Sequence, residues 1–154
     1  MLRKSTLTII LLTFCISATF AQAEIFGISL SDTLQYKKEW PKASTIDGYI
    51  ENVSMEYIET AVMQKHEGKL KIYLLADVNS TLRFIRIKQQ IEINCEETYD
   101  NDYIPDSAKG DMEDIERLIS LGKAEIYREY KCGNNDQIVL NWSTDNLIAS
   151  MNSN

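Results

Sequence analysis

The chain has one histidine, two prolines and six glycines in 154 residues. So little glycine and proline excludes collagenous or low-complexity architecture. Catalytic triads, Cys–His pairs and zinc sites commonly rely on histidine. The only one here, His66, falls in an expected exposed turn beside Glu67 and Gly68. Cys-x-x-Cys, His-Glu-x-x-His, Gly-x-Ser-x-Gly and phosphate-cradling glycine loops are all missing, which argues against most redox, hydrolytic and nucleotide-dependent chemistries. Basic residues are outnumbered, 16 against 23 acidic, for a net charge of −7. A nucleic-acid backbone and an anionic lipid surface both need clustered lysine and arginine, so neither is an expected partner. No catalytic residue, metal or cofactor is assigned.

The first 23 residues have the three-part layout of a secretory signal peptide. Arg3 and Lys4 supply the positive start, Leu7 to Phe20 the apolar stretch, and Ala21-Gln22-Ala23 a small-x-small cleavage site. The apolar stretch falls short of the roughly 20 residues a spanning helix needs. Phe14, directly before Cys15, is too bulky for a lipobox. Cleavage after Ala23 leaves one α+β domain, residues 24–154, expected in the periplasm or secreted. That mature chain carries 14 basic and 23 acidic groups, a net −9. Its two cysteines, Cys95 and Cys132, are expected to pair in an oxidising compartment. A loop of that length makes the bridge worth about 4 kcal/mol by the chain-entropy argument.

Glu24 to Leu30 suggests an edge strand. Ser31 and Asp32 suit a helix N-cap, and Pro41 stops that helix near Trp40. Asp47-Gly48 marks a turn. Tyr49 to Gln64 predicts one long strand or two short ones, with Val53, Met55 and Tyr57 alternating against Asn52, Ser54 and Glu56. Residues 65–68 predict a hairpin turn into a strand over 69–77, followed by a second turn over 78–81. Ile85, Ile87, Ile91, Ile93 and Cys95 alternate with Arg86, Lys88, Gln90, Glu92 and Asn94, which predicts a long half-buried strand with Gln89 as its one misfit. Residues 96–110 are expected to be a polar loop. Asp111 then caps a helix with Met112, Ile115, Leu118 and Ile119 on one face and Gly122 as its stop. Strands are expected near 124–132, 136–142 and 146–151, with Ile138, Leu140 and Trp142 facing inward.

Together these predict an α+β fold, an antiparallel meander sheet with two short helices on one face and one disulfide. The order invites comparison with a diverged internal repeat, although the halves differ in length and share no residue pattern. A Cys95–Cys132 bridge is expected to staple the two halves.

The most unusual feature is acidic. Glu96, Glu97, Asp100, Asp102, Asp106, Asp111, Glu113, Asp114 and Glu116 share a span in which Lys109 is the only base. Tyr99, Tyr103 and Ile104 are interleaved with them. Such a segment can steer a basic partner and anchor it through tyrosine, or it can be a solvated loop whose acids complement the following helix N-terminus. Glu96, Glu97, Tyr99, Asp100, Asp102 and Tyr103 are the candidate protein-binding residues. Asp100-Asn101-Asp102 with Asp106 also resembles the opening of a calcium loop, but Ile104 and Pro105 stand where an oxygen ligand and glycine belong. Sequons at Asn52, Asn79 and Asn141 are read as unmodified asparagines of a bacterial export substrate.

The stretch from Phe26 to Leu34 resembles the start of small periplasmic proteins of Gram-negative bacteria, and the helix opening of outer-membrane-lipoprotein and β-lactamase-inhibitor-like α+β modules. It covers no functional position. The preferred expectation is a non-enzymatic, exported protein-binding domain: a periplasmic inhibitor or immunity protein that neutralises a basic toxin or cell-wall hydrolase. A non-catalytic envelope accessory protein and a carboxylate-only hydrolase are the rivals.

Overall fold

The computed structural model describes residues 23–44, 47–52, 57–76 and 80–153. The expected leader lies outside them except for Ala23. Residues 53–56 of the expected strand, most of the turn before Ser80, the Asn79 sequon and the side chains of Asn52 and His66 also lie outside.

The chain opens with a hairpin of two short strands, β1 (Glu24–Ile25) and β2 (Ile28–Ser29), where a single edge strand was expected. A 3-10 turn over Leu30–Asp32 leads into α1 (Thr33–Glu39), which ends at Trp40 as Pro41 requires. Tyr36 and Trp40, one helical turn apart, stack at 4.5 Å. The region after Asp47 forms two strands, β3 (Gly48–Asn52) and β4 (Thr60–His66). β4 turns into β5 (Lys69–Ala76) through Glu67 and Gly68, at φ 52° and 81°. Two consecutive left-handed residues match the right-handed twist of a tight hairpin, and glycine takes that conformation without steric cost.

The predicted strand over residues 85–95 is instead a helix, α2 (Thr81–Glu92). Phe84, Ile87 and Ile91 are its buried residues, at the three- and four-residue spacing of one helical face. Ile87 and Ile91 belong to both the period-two and the helical pattern, which is why the alternation misleads. Ser80 caps the helix by accepting from Arg83 N–H, and Lys88 pairs with Glu92 one turn on. Gln89, out of place in a strand, is unremarkable here.

The expected loop after Cys95 begins as a sixth strand, β6 (Cys95–Asp100). After a 3-10 turn, α3 (Met112–Ser120) starts where Asp111 accepts from Glu113 N–H and Asp114 N–H, and Gly122 follows at φ 68°. β7 (Ile126–Cys132), β8 (Gln137–Trp142) and β9 (Leu147–Asn152) complete the chain close to their expected bounds.

The fold is α+β. Seven antiparallel strands form one sheet in the order β3-β4-β5-β9-β8-β7-β6. α1 precedes the meander β3–β4–β5 and α3 precedes the meander β7–β8–β9; the two units meet where β5 pairs with β9. α2 and β6 are the additional elements of the second half. The bridge between Cys95 and Cys132 is present, but it joins cross-strand partners on the neighbouring strands β6 and β7 and does not staple the halves.

Alternate strand positions are fully buried: Ile72 and Leu74 on β5, Ile138, Leu140 and Trp142 on β8, Leu147, Ala149 and Met151 on β9. They form the floor on which the helices pack, with Phe84 stacked on Trp142 at 5.0 Å. The intervening positions are half-buried or exposed and make a second face, uncovered among the described residues. No helix among the described residues is long and apolar enough to cross a membrane.

Candidate functional site

The acidic candidates lie along the outer edge of the sheet. Among the described strands β6 pairs only with β7, at one end of the sheet. Pairing continues past the end of β6: Asn101 N–H donates to Tyr127 carbonyl at 2.9 Å, and Tyr103 exchanges backbone hydrogen bonds with Glu125 at 2.8 and 2.9 Å. The segment from Cys95 to Tyr103 is therefore held against residues 125–132 at both ends, with the disulfide at one of them.

A register shift between Glu97 and Tyr99 divides the candidates between the two faces. Glu97 pairs with Tyr130 and Asp100 with Arg128, both on the helix-covered side. Glu96 pairs with Lys131 and Tyr99 with Glu129 on the uncovered side. Arg128 gathers two of the acids: Nη1 donates to Glu97 Oε2 at 3.0 Å and Nη2 to Asp102 Oδ2 at 2.6 Å. Tyr130 Oη donates to the same Glu97 oxygen at 3.2 Å. Asp102 Oδ1 and Arg128 Nε are buried without a partner among the described residues.

Electrostatics follows from this packing. Burial works against the Arg128 cation, but Asp102 and Glu97 outweigh it and hold the guanidinium above its ordinary value. Burial, with the Glu97 charge behind it, pushes the Tyr130 phenol up. On the other face Tyr127 is likewise raised, by burial and by its hydrogen bond to Glu129 at 2.8 Å. Tyr99 meets Tyr127 edge-on at 6.3 Å.

The structure thus brings Glu97 and Asp102 together, but around an arginine that occupies the space between them. Glu96, Tyr99, Asp100 and Tyr103 do not join that cluster; they are exposed along the edge, Tyr99 by 50% and Tyr103 by 69%. The calcium-like carboxylates diverge, Asp102 toward Arg128 and Asp106 toward Lys109 at 2.7 Å. Among the described residues no three His, Cys, Asp or Glu side chains gather as a metal site. Asn141 has its amide committed, Nδ2 donating to Glu125 Oε1 at 2.8 Å.

Sequence reasoning missed Arg128 and the hydrogen bond that Tyr130 makes to Glu97. Their signal was the alternation of Ile126, Arg128, Tyr130 and Cys132, which places an arginine on the apolar side of a strand, where it needs an acid to meet it. Comparisons with family models, curated proteins and solved structures each return no match.

Proposed function

We propose that this chain is an exported, non-catalytic protein-binding domain whose β6 edge receives a basic partner. The carrying observation is the exposure of Tyr99 and Tyr103 beside Glu96 and Asp100 on one pinned edge. Tyrosine supplies contact area at low entropic cost, and the neighbouring carboxylates steer a cationic surface toward it. A backbone held by the Cys95–Cys132 bridge and by Arg128 has little order left to lose on binding. Secreted toxins and cell-wall hydrolases are often basic, so an inhibitor or immunity role in the periplasm or outside the cell fits this chemistry.

The test is capture by the immobilised, oxidised chain at low and high salt, with mass spectrometry of what elutes. The expected outcome is a basic hydrolase or toxin released by salt. Capture should slow with Glu96→Gln and Asp100→Asn, and weaken roughly tenfold with Tyr103→Ala. Capture unchanged by all three substitutions overturns the proposal. A partner retained at high salt and indifferent to them points to the accessory reading, which the uncovered sheet face favours.

A further inference from the structure

The uncovered face of the sheet has a polar half that the edge does not use. Register places Lys71 of β5, Asn152 of β9 and Gln137 of β8 side by side in one row. Tyr73, Ser150 and Val139 form the next row. With Lys69 at the hairpin end, these residues line a cleft of about 400 Å³, inside the ~300–1,000 Å³ range of small-molecule sites. Gln137 also lines the cleft, and its Nε2 donates to Glu129 at 2.9 Å. Lys69, Lys71, Tyr73 and Asn152 commit no side-chain hydrogen bond or ion pair to other described residues. Among the described lining residues Lys69 and Lys71 outnumber the one acid, Glu67, while Glu129 stands behind Gln137, on a chain of net charge −7.

The geometry points to a binding site for a carboxylate-bearing oligosaccharide on this cleft, with Lys71 and Lys69 meeting the carboxylate and Asn152, Gln137, Ser150 and Tyr73 meeting the sugar hydroxyls. Side-chain amides offer a donor and an acceptor at neighbouring positions, which suits adjacent hydroxyls that do both. The Tyr73 ring supplies an apolar surface for a sugar face. Lysine also binds phosphate as a point charge, but the arginine forks, helix N-termini and glycine-rich backbone nests that commonly complete a phosphate site are a separate requirement. None of those lines this cleft. The site is separate from the β6 edge and does not depend on the proposal made for it.

Tetragalacturonic acid is the probe, titrated into the oxidised chain and followed by backbone amide shifts, with its methyl ester and sodium acetate as controls. The expected shifts center on residues 69–73, 137 and 150–152. The methyl ester, which keeps the sugar and removes the charge, should bind about tenfold more weakly or worse. Lys71→Gln should cost a similar factor while leaving the unfolding midpoint unchanged, and Asp100→Asn on the β6 edge should leave binding unchanged. Equal binding of acid and ester overturns the charge assignment, and acetate reproducing the same shifts reduces the cleft to an adventitious ion only. No shifts, or shifts confined to β6, overturn the site.

Discussion

Arg128 places its Nη2 2.6 Å from Asp102 Oδ2 and its Nη1 3.0 Å from Glu97 Oε2, so one cation fastens both the outermost strand and the segment that follows it. Side-chain exposures are 21% for Arg128, 31% for Glu97 and 17% for Asp102, which leaves only partial solvent screening. Removing the cation alone takes the shared counter-charge from Asp102 and Glu97, although Glu97 keeps the hydrogen bond from Tyr130. Arg128→Gln should lower stability by about 1–3 kcal/mol, read as a shift of the urea midpoint. Amide exchange at residues 100–103 should accelerate with it. An unmoved midpoint would show that the pair is no more than an exposed surface contact.

The bridge between Cys95 and Cys132 closes a loop across a separation of 37 residues. Reduction, or Cys95→Ser with Cys132→Ser, should cost about 4 kcal/mol by restoring freedom to the unfolded chain. Denaturation curves of the oxidised and reduced forms check this. Because the cysteines pair β6 to β7, loosening should be greatest at β6 and least at the β5–β9 junction, and hydrogen exchange resolves that order.

Ile91 and Ile93 separate the helix from the strand that alternation predicts. Both sit on the apolar side of a period-two pattern, but in the structure Ile91 is 0% exposed and Ile93 is 66% exposed. Ile91→Ala should cost about 2–5 kcal/mol. Ile93→Ala should stay within about 0.5 kcal/mol. Equal losses in chemical denaturation would contradict the helix.

Glu116 of α3 accepts hydrogen bonds from Thr81 N–H at 2.8 Å and Thr81 Oγ1 at 2.6 Å, at the start of α2. Those bonds lower its carboxyl pKa. A carboxyl depressed in the folded state contributes stability that is complete above its unfolded value and is lost as pH falls through its folded one. The difference in thermal midpoint between the natural chain and Glu116→Gln should therefore be full at pH 6. It should shrink below about pH 4. A difference that is constant from pH 6 to pH 3 would show that the carboxylate charge is not what holds α2 to α3.

Much of this architecture was legible because it is local. Pro41 ends α1, Glu67-Gly68 closes the β4–β5 hairpin, and Asp111 with Gly122 brackets α3, each through backbone conformation or a cap within a few residues. The alternation of Ile138, Leu140 and Trp142 likewise needed only its own strand to indicate an inward face. Residues 81–92 were different. Isoleucines at 85, 87, 91 and 93 satisfy a strand over most of their length, and the contact of Phe84 with Trp142, 58 positions away in the chain, selects the helical face. The acidic segment was visible as composition, but composition is blind to register. Arg128 lies 26 positions from Asp102, and only the β6–β7 pairing makes them neighbours.

The sequence by itself determined the α+β class, the cysteine pair, the Asp111-capped helix α3, the end of α1 at Pro41 and the β4–β5 hairpin turn, since each follows from torsional preference, periodicity or a short-range hydrogen bond. Tertiary structure alone decided which face of residues 81–92 is buried, that the acidic stretch is an edge strand, and which of its carboxylates are neutralised. It also decided that lysine, tyrosine and amide side chains from three strands line one cleft. Those outcomes depend on strand order and register, which arise when distant segments bury apolar surface together and leave their polar partners wherever the pairing places them.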